Sequence, residues 1–559
     1  MRKLFCSKKV FAFVLALTIF IAATSAFAEP WSFGVISDTQ WPSSPDNKNP
    51  NSVAVNVINH VNQELIDHGV KFVVAVGDIT DNGSILALDT SATFRQMLYN
   101  AGIGFYPLRG NHESSKTAAI EFQRIFPQTQ TGMNNQTPAD ALVTTLYYGA
   151  PPANTNTTFT VGTNFASPSA DFAGLTYSFD YDNARFVLLD QFAPPSGASH
   201  SVLTSSDVDW VGTELATRPA NTHAFVFGHK HLISENHADT LFGSNPSANP
   251  SGLQDLFMAD LYDNGVRYYM GGHDHMHNRA IITSPDGNSK VQNIIAASDS
   301  YKFYIPQNPS NDAKYDIPAN GITNGPREME VSQELFTIGY YIVTVDGPRV
   351  TVDYYASPNG CDGDCDLTND IIPYTYTKHE TFGYSLNGKE FLVAQGESYT
   401  AVQDSFAGTT AQILSGTNGS VAADYVGRPF TKTVDTGWTP QTVETPKKDG
   451  DTASDILTLW GMADLGSDQT DVYALSISYD PAKARSEHLG KGLFGLATRD
   501  AGGNWINAVD KNFGGAKKFV MGAWAPSYGP GTYGVDPSTK TAWAVVNYNS
   551  DFAVARFNQ

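Results

Sequence analysis

Five short segments of the sequence carry side chains that can bind metal ions or transfer protons. They hold Asp38 with Gln40, Asp78 with Asp81, Asn111 with His112, His229, and His273 with His275. Carboxylates, imidazoles and amide oxygens together suit borderline divalent metals such as Mn, Fe or Zn. A carboxylate that bridges two such ions helps to generate a hydroxide and to stabilise both oxygens of an in-line displacement at phosphorus. The residue types therefore predict metal-assisted hydrolysis of a phosphate ester.

Any one of these segments alone would be weak evidence, but all of them follow predicted strands. The apolar runs before the first three segments are Trp31–Ser37, Lys71–Val76 and Gly104–Leu108. Helical spacing of apolar residues over 53–65 and 85–99 gives a βαβαβ order, which implies parallel strands. Ligand sites collect beyond the carboxyl ends of such strands, so Asp38, Asp78 and Asn111 should meet at one sheet edge.

Strand patterns continue through the first half of the chain. Two of them, over 224–227 and 267–270, lead directly to the histidine segments. Residues 126–169 are rich in Asn, Thr, Pro and Gly and are expected to form a long insertion. After residue 277 the pattern changes to hairpins with short polar turns, which favours antiparallel strands.

The ordered series of motifs resembles that of the calcineurin-like metallophosphoesterase family. The matching segments read Asp38-Thr39-Gln40, Gly77-Asp78-Ile79-Thr80-Asp81-Asn82, Gly110-Asn111-His112-Glu113, His229 and Gly272-His273-Asp274-His275. The resemblance covers about residues 29–356 and does not extend to the rest of the chain. It implies an α/β (α+β) fold class with a two-sheet αββα sandwich, followed here by one or more β-rich C-terminal modules.

The resemblance also implies metal ligands, in a centre of two divalent ions. Asp78 corresponds to the carboxylate that bridges them. The first metal would be held by Asp38 and His275, with Gln40 at the remaining position of its motif. The second metal would be held by Asn111, His229 and His273.

The proton donor is likewise implied by the resemblance. His112 corresponds to the catalytic histidine that protonates the leaving oxygen, and Asp81 corresponds to the carboxylate that orients its ring. A carboxylate beside an imidazole keeps the ring charged near neutral pH, as a general acid requires. Arg109 precedes this motif and is expected to pair with an acidic neighbour rather than with phosphate. His223 precedes its strand and is expected to be structural.

Two positions depart from the family pattern. Most members have histidine where this chain has Gln40. The glutamine could ligate a metal directly, hold a metal-bound water, or leave the first site partly empty. Asn82 stands where phosphoprotein phosphatases carry a phosphate-binding arginine, which argues against a phosphoprotein substrate.

The N-terminus predicts export. Basic residues precede an apolar run over 10–23, and Ala26-Phe27-Ala28 supplies the small residues of a signal-peptide cleavage site. An uncleaved membrane anchor is the alternative. The mature chain is expected to be secreted or periplasmic, where Cys361 and Cys365 would form a small loop disulfide.

Composition narrows the range of partners. The 559 residues include 35 Lys and Arg against 56 Asp and Glu, a formal net charge of −21. So acidic a surface disfavours broad nucleic-acid binding, although bound metal ions can attract a small phosphorylated substrate locally. No later stretch reaches the ~20 apolar residues of a membrane span, so none is expected once the signal is removed.

Four regions follow from these patterns: a signal peptide at 1–28, the metallophosphoesterase domain at 29–356, a β-rich accessory region at 357–440 and a C-terminal β-rich domain at 441–559. The tail could contact the cell envelope. Clustered carboxylates over Asp362–Asp366 could hold Ca²⁺, and a solvated acidic loop is the alternative.

Two functions remain open on sequence grounds. The first is an exported metal-dependent phosphoesterase that cleaves phosphate mono- or diesters by a hydroxide bound to two metals, with His112 as the general acid. The second is a catalytically weakened relative, altered at Gln40, that acts as a cell-envelope or glycan binding module.

Overall fold

A computed structural model describes most of the chain after the predicted signal segment. It covers residues 29–41, 50–135, 152, 158–192, 194–197, 200–244, 249–306, 327–358, 374–393, 400–404, 409–415, 431–440, 452–462 and 471–557. The signal segment, the Cys361–Cys365 loop and the acidic run Asp362–Asp366 lie outside these residues, so the inferences drawn from them stay predictions.

Strands and helices are mixed up to residue 271, and hairpins follow. The strands are β1 (Trp31–Ile36), β2 (Phe72–Ala75), β3 (Gly104–Pro107), β4 (Met133–Asn135), β5 (Thr158–Thr160), β6 (Thr163–Ala166), β7 (Tyr177–Tyr181), β8 (Ala184–Leu189), β9 (His223–Gly228), β10 (Tyr268–Gly271), β11 (His277–Thr283), β12 (Lys290–Ile295), β13 (Glu328–Glu334), β14 (Thr337–Asp346), β15 (Arg349–Pro358) and β16 (Thr377–Ser385). The helices are α1 (Val55–Asp67), α2 (Ile85–Asn100), α3 (Lys116–Ile125), α4 (Gln128–Thr131), α5 (Ser205–Ala216) and α6 (Leu253–Asp263). Of the helices described, none has both the length and the apolar character that crossing a bilayer requires.

These strands form two large sheets. The first has six strands in the order β16-β15-β14-β1-β2-β3, and β1, β2 and β3 are parallel as their βαβαβ order predicts. The second has eight strands in the order β13-β11-β12-β10-β9-β8-β7-β6, with β8, β9, β10 and β12 parallel. The carboxyl ends of β1, β2 and β3, and those of β9 and β10, each carry one of the predicted site segments.

The two sheets pack face to face through a layer of buried aromatic rings. Phe33 of β1 stacks on Phe72 at 5.4 Å and meets Phe186 of the second sheet edge-on at 5.0 Å. The outer face of the first sheet is covered by α1, α2 and α3, and that of the second by α5 and α6. In α1, Val57, Val61 and Leu65 recur at helical spacing and are buried, which fixes the face that packs on the sheet. The predicted αββα sandwich is confirmed.

The C-terminal part is a second β-sandwich. Its strands are β17 (Glu390–Val393), β18 (Thr400–Asp404), β19 (Thr409–Ser415), β20 (Lys432–Thr439), β21 (Ile456–Trp460), β22 (Val472–Ser478), β23 (Phe494–Arg499), β24 (Trp505–Asn507), β25 (Lys518–Met521), β26 (Thr532–Asp536), β27 (Thr541–Val546) and β28 (Asp551–Arg556), with one short helix, α7 (Ser486–Leu489). Two six-stranded sheets, β17-β20-β21-β28-β23-β24 and β18-β19-β22-β27-β26-β25, enclose one apolar core. The tail is β-rich, as predicted.

Strand pairing crosses the domain boundaries that the sequence suggested. Strand β16 lies beyond residue 356, yet it pairs with β15 in the first sheet of the αββα sandwich. Its buried Glu380 accepts hydrogen bonds from His277 (2.9 Å) and Arg279 (2.5 Å) of the second sheet. Residue 440 does not separate sheets either, because β20 pairs with β21 across it.

Candidate metal centre

The site lies where the carboxyl ends of strands from both sheets meet. Among the described residues, two groups of potential ligand atoms that share Asp78 occur there, each with its atoms within 4.8 Å of one another. One consists of Asp38, Asp78 and His275, and the other of Asp78, His229 and His273. All five side chains are buried, and Asp78 is common to both groups. This is the arrangement that a carboxylate bridging two ions requires.

Two of the imidazoles are held with one nitrogen facing the centre. The Nδ1 of His229 hydrogen-bonds the carbonyl of Val76 at 2.9 Å, and its Nε2 lies 3.3 Å from Asp78 Oδ2 and 3.0 Å from Asn111 Oδ1. With the proton on Nδ1, three acceptor atoms face one another, and a cation between them would remove their repulsion. With no cation bound, a proton is favoured instead: burial lowers the pKa of His229, but the Asp78 carboxylate outweighs burial and raises it to about 9.

His275 repeats this arrangement in the first group. Its Nδ1 hydrogen-bonds the carbonyl of Lys302 at 2.8 Å, and its Nε2 lies 3.3 Å from Asp38 Oδ1. Burial alone would raise the pKa of Asp38, but the neighbouring His275 outweighs burial and lowers it. Both rings therefore place Nε2 next to a carboxylate, and an imidazole nitrogen with a carboxylate oxygen is a usual donor pair of a transition-metal site.

His273 is oriented by a residue that sequence reasoning missed. Its Nε2 hydrogen-bonds Asp239 Oδ1 at 3.1 Å, and Asp239 Oδ2 forms an ion pair with Lys230 Nζ at 2.6 Å. This contact leaves Nδ1 of His273 for the centre. Asp239 belongs to no motif, and its only signal in the sequence is an acidic residue in the loop that follows His229.

The Gln40 side chain lies within the first group. Its Nε2 is 3.0 Å from His275 Nε2, and its Oε1 is buried without a hydrogen-bond partner in the described part of the chain. A buried amide oxygen without a partner costs free energy, and ligation of a cation would recover that cost. The three interpretations of Gln40 stay open, because the amide nitrogen rather than the oxygen is the atom that faces His275.

The backbone at the site is held in an uncommon conformation. Positive φ angles occur at Asp38 (48°), Asp78 (47°), His273 (71°) and His275 (52°). Left-handed backbone is unfavourable for residues with a side chain and tends to occur at functional sites. The motif glycine Gly77 has a φ of 101° for a further reason, because a Cβ there would lie 2.4 Å from His229 Nδ1.

The predicted proton donor stands beside the bridging carboxylate. His112 is partly exposed, its Nε2 is 3.8 Å from Asp78 Oδ2, and its backbone N–H donates to Asp78 Oδ1 at 3.0 Å. The contact with Asp81 differs from the one expected. His112 Nδ1 bonds the backbone carbonyl of Asp81, whereas the carboxylate Oδ1 is 3.8 Å away. The ring is thus oriented mainly by a neutral carbonyl.

Glu113 connects the loop that contains Asp78 with the loop that contains Asn111. Its carboxylate accepts hydrogen bonds from Thr80 N (2.9 Å), Thr80 Oγ1 (2.7 Å) and Gly110 N (3.0 Å). Burial, followed by repulsion from Asp78, raises its pKa to about 7. It supports the site without facing it.

Other polar residues near the motifs have structural roles. Arg109 pairs with Asp190 at 2.5 Å, both side chains being fully buried, as expected for a pair that does not contact phosphate. His223 bonds Gly347 O and Tyr384 Oη, and His231 bonds Gly272 O.

Residues 32–277 match the model of the calcineurin-like phosphoesterase family. No curated protein sequence matches the chain. Among solved structures, the chain is similar to a dimetal phosphatase from Danio rerio at 15% identity, over 58% of this chain and 95% of that one, with a TM-score of 0.33. It is similar to a purple acid phosphatase from yellow lupin seeds at 13% identity, over 64% of this chain and 54% of that one, with a TM-score of 0.35.

Proposed function

We propose that the mature chain, whose residues 32–277 match the calcineurin-like phosphoesterase family, is an exported hydrolase of phosphate mono- or diesters that uses two divalent metal ions. The observation that carries the proposal is the sharing of Asp78 by two buried ligand groups. A shared carboxylate sets two cations at the short separation that in-line displacement at phosphorus requires.

The donor set fits Mn, Fe or Zn. Neutral imidazoles, carboxylates and amide oxygens suit such ions, and the buried Oε1 of Gln40 is an additional oxygen donor. The first ion would be held by Asp38, Gln40, Asp78 and His275, and the second by Asp78, Asn111, His229 and His273. Bound ions would activate water and neutralise charge that develops on the phosphoryl oxygens.

His112 is proposed to protonate the leaving oxygen. It is the partly exposed histidine next to Asp78, so it can face both substrate and solvent. The Asp81 carbonyl fixes Nδ1 as the protonated nitrogen and leaves Nε2 as the exchanging one. The Asp81 carboxylate, 3.8 Å away, favours the charged ring electrostatically.

A small phosphorylated molecule is the proposed substrate, and secretion or transfer to the periplasm the proposed destination. The formal net charge of −21 would repel long polyanions, whereas a local pair of cations would attract a single phosphate group. The basic, apolar and small-residue pattern of 1–28 supports export with cleavage after Ala28.

The proposal is tested by hydrolysis of p-nitrophenyl phosphate and of its bis-ester by the purified mature chain with Mn²⁺. Asp78→Asn should abolish both activities and reduce the bound metal from about two ions per chain. Asp209→Asn, on an exposed position of α5, is the matched control and should change neither. A metal-loaded chain that is inert on a broad panel of phosphoesters would contradict the proposal and favour the binding-module alternative.

The role of His112 has its own signature. His112→Asn should slow the release of a poor leaving group, such as the phenolate of phenyl phosphate, far more than that of p-nitrophenolate, because only the former needs a proton. The exposed His60 provides a matched His→Asn control. An equal loss on both substrates would exclude proton donation by His112.

A further inference from the structure

The segment that follows β12 contacts a histidine of the proposed metal centre. Within it, the carbonyl of Lys302 accepts the hydrogen bond from His275 Nδ1 at 2.8 Å, and the Ser298 hydroxyl is 3.5 Å from the same nitrogen. The position of this backbone is therefore fixed by a residue of the site itself. The side chains at 302 and 304 are only partly buried, in contrast to the buried side chains of the two ligand groups.

Tyr304 packs on the histidine of the first ligand group and is connected to a histidine of the second group through His237. Its ring lies 5.0 Å from that of His275 and 4.7 Å from that of His237, and His237 in turn stacks on His273 at 4.1 Å. Lys302 Nζ lies 5.6 Å from the centre of the Tyr304 ring, within range of a cation–π interaction. The ammonium group is thus held at the edge of the centre.

Lys302 differs from the other cations around the centre. Arg109 is occupied by Asp190, and Lys230 by Asp239. Within the described part of the chain, by contrast, Lys302 Nζ has no carboxylate within 4.0 Å. Its charge interacts with the Asp81 carboxylate electrostatically over a longer distance. Burial raises the pKa of the Asp81 carboxyl, and His112 and Lys302 partly oppose this.

The position that carries arginine in phosphoprotein phosphatases offers no charge here. Asn82 occupies it, and its side-chain amide donates to Ser52 Oγ at 3.2 Å. Among the described residues, Lys302 is therefore a cation near the centre that no carboxylate pairs and that a substrate phosphate could contact.

We propose that Lys302 binds the non-bridging oxygens of a dianionic phosphomonoester and makes the enzyme favour monoesters over diesters, an inference that rests on the proposed phosphoesterase function. The ammonium group is a point charge that attracts a dianion more strongly than the monoanionic phosphate of a diester. Tyr304 keeps the ammonium group near the centre, and the partial exposure of both side chains leaves room for the ester.

The test compares Lys302→Met with the native chain at pH 8, each loaded with Mn²⁺. For p-nitrophenyl phosphate, KM should rise by about thirtyfold with little change in kcat, because a charge-assisted hydrogen bond is lost. For the bis-ester, KM should rise by only about threefold. Lys302→Arg should retain most of the native affinity, and Lys290→Met, at an exposed position of β12, should leave both KM values unchanged.

Direct binding separates this inference from the proposed function. The affinity of the Mn²⁺-loaded chain for inorganic phosphate, measured by calorimetry, should fall in Lys302→Met at unchanged metal content and thermal stability. Unchanged phosphate affinity, or equal KM changes for monoester and diester, would overturn the role of Lys302 and leave the proposed function intact. A native chain that binds phosphate through Lys302 but hydrolyses no ester would overturn the function instead.

Discussion

Replacement of Asp239 by asparagine tests how His273 is positioned. In the native chain one carboxylate serves two donors, with Oδ1 accepting from His273 Nε2 at 3.1 Å and Oδ2 from Lys230 Nζ at 2.6 Å. An asparagine side chain has only one acceptor oxygen, and its amide nitrogen cannot accept from the Lys230 ammonium. The ammonium competes for that oxygen, so the imidazole of His273 loses the partner that fixes its orientation.

The expected loss follows from this competition. Partners that orient a metal-bound histidine contribute about 10- to 100-fold in metal affinity. Asp239→Asn should weaken the affinity for one of the two ions by a factor in the upper part of that range. This factor corresponds to a loss of about 2–3 kcal/mol in binding free energy. The double variant Asp239→Asn with Lys230→Met also lacks the competing ammonium, so the asparagine oxygen can again accept from His273. Its metal affinity should be about tenfold higher than that of Asp239→Asn alone. Rescue by a second substitution is the distinctive result.

Calorimetric titration of the apo-protein with Zn²⁺ measures both sites. The weaker affinity should appear in only one of them, because none of the Asp239 contacts in the described part of the chain involves His275 or Asp38. Asp209→Asn is the matched control, since this aspartate is exposed on α5. Comparable affinities in the single and double variants would refute the competition argument, and native affinity in Asp239→Asn would refute the positioning role altogether.

Substitutions at three other positions have defined outcomes. Gln40→Leu removes the buried amide oxygen at similar length and should lower metal content from about two ions to about one, measured by elemental analysis, whereas Gln40→His should restore two. Arg109→Met leaves the buried Asp190 without its counter-charge and should reduce the free energy of unfolding by about 3–5 kcal/mol in urea titrations. Burial lowers the pKa of His223 to about 4, so the unfolded chain takes up the proton first. The native chain should then lose about 2 kcal/mol between pH 7.5 and 5 relative to His223→Gln in the same titrations.

The convergence of the site could be inferred from the sequence because its segments follow strands. A parallel βαβαβ order puts the carboxyl ends of β1, β2 and β3 at one edge, so Asp38, Asp78 and Asn111 had to lie near one another. The glycine before Asp78 also indicates a site at this position. Gly77 has a positive φ and lies so close to His229 that a side chain would not fit.

Residues that act through loops could not be inferred in this way. Asp239 and Lys302 follow no periodic pattern, and their proximity to the centre depends on how each loop folds back over the sheets. The contact of His112 with the carbonyl of Asp81 could not be predicted from the sequence either. The sequence shows that position 81 has a carboxylate, but it does not show whether the carboxylate or the backbone oxygen faces the imidazole.

The edge position of β16 limits how the chain can be divided. If it were shortened at residue 356, β15 would expose an unpaired row of backbone groups, which invites aggregation. Arg279 and His277 would also lose Glu380, leaving a guanidinium in the protein interior without compensation only a few positions from His275. The sandwich that carries the site therefore depends on β16 for its stability, and the smallest independently folding unit extends at least to residue 385.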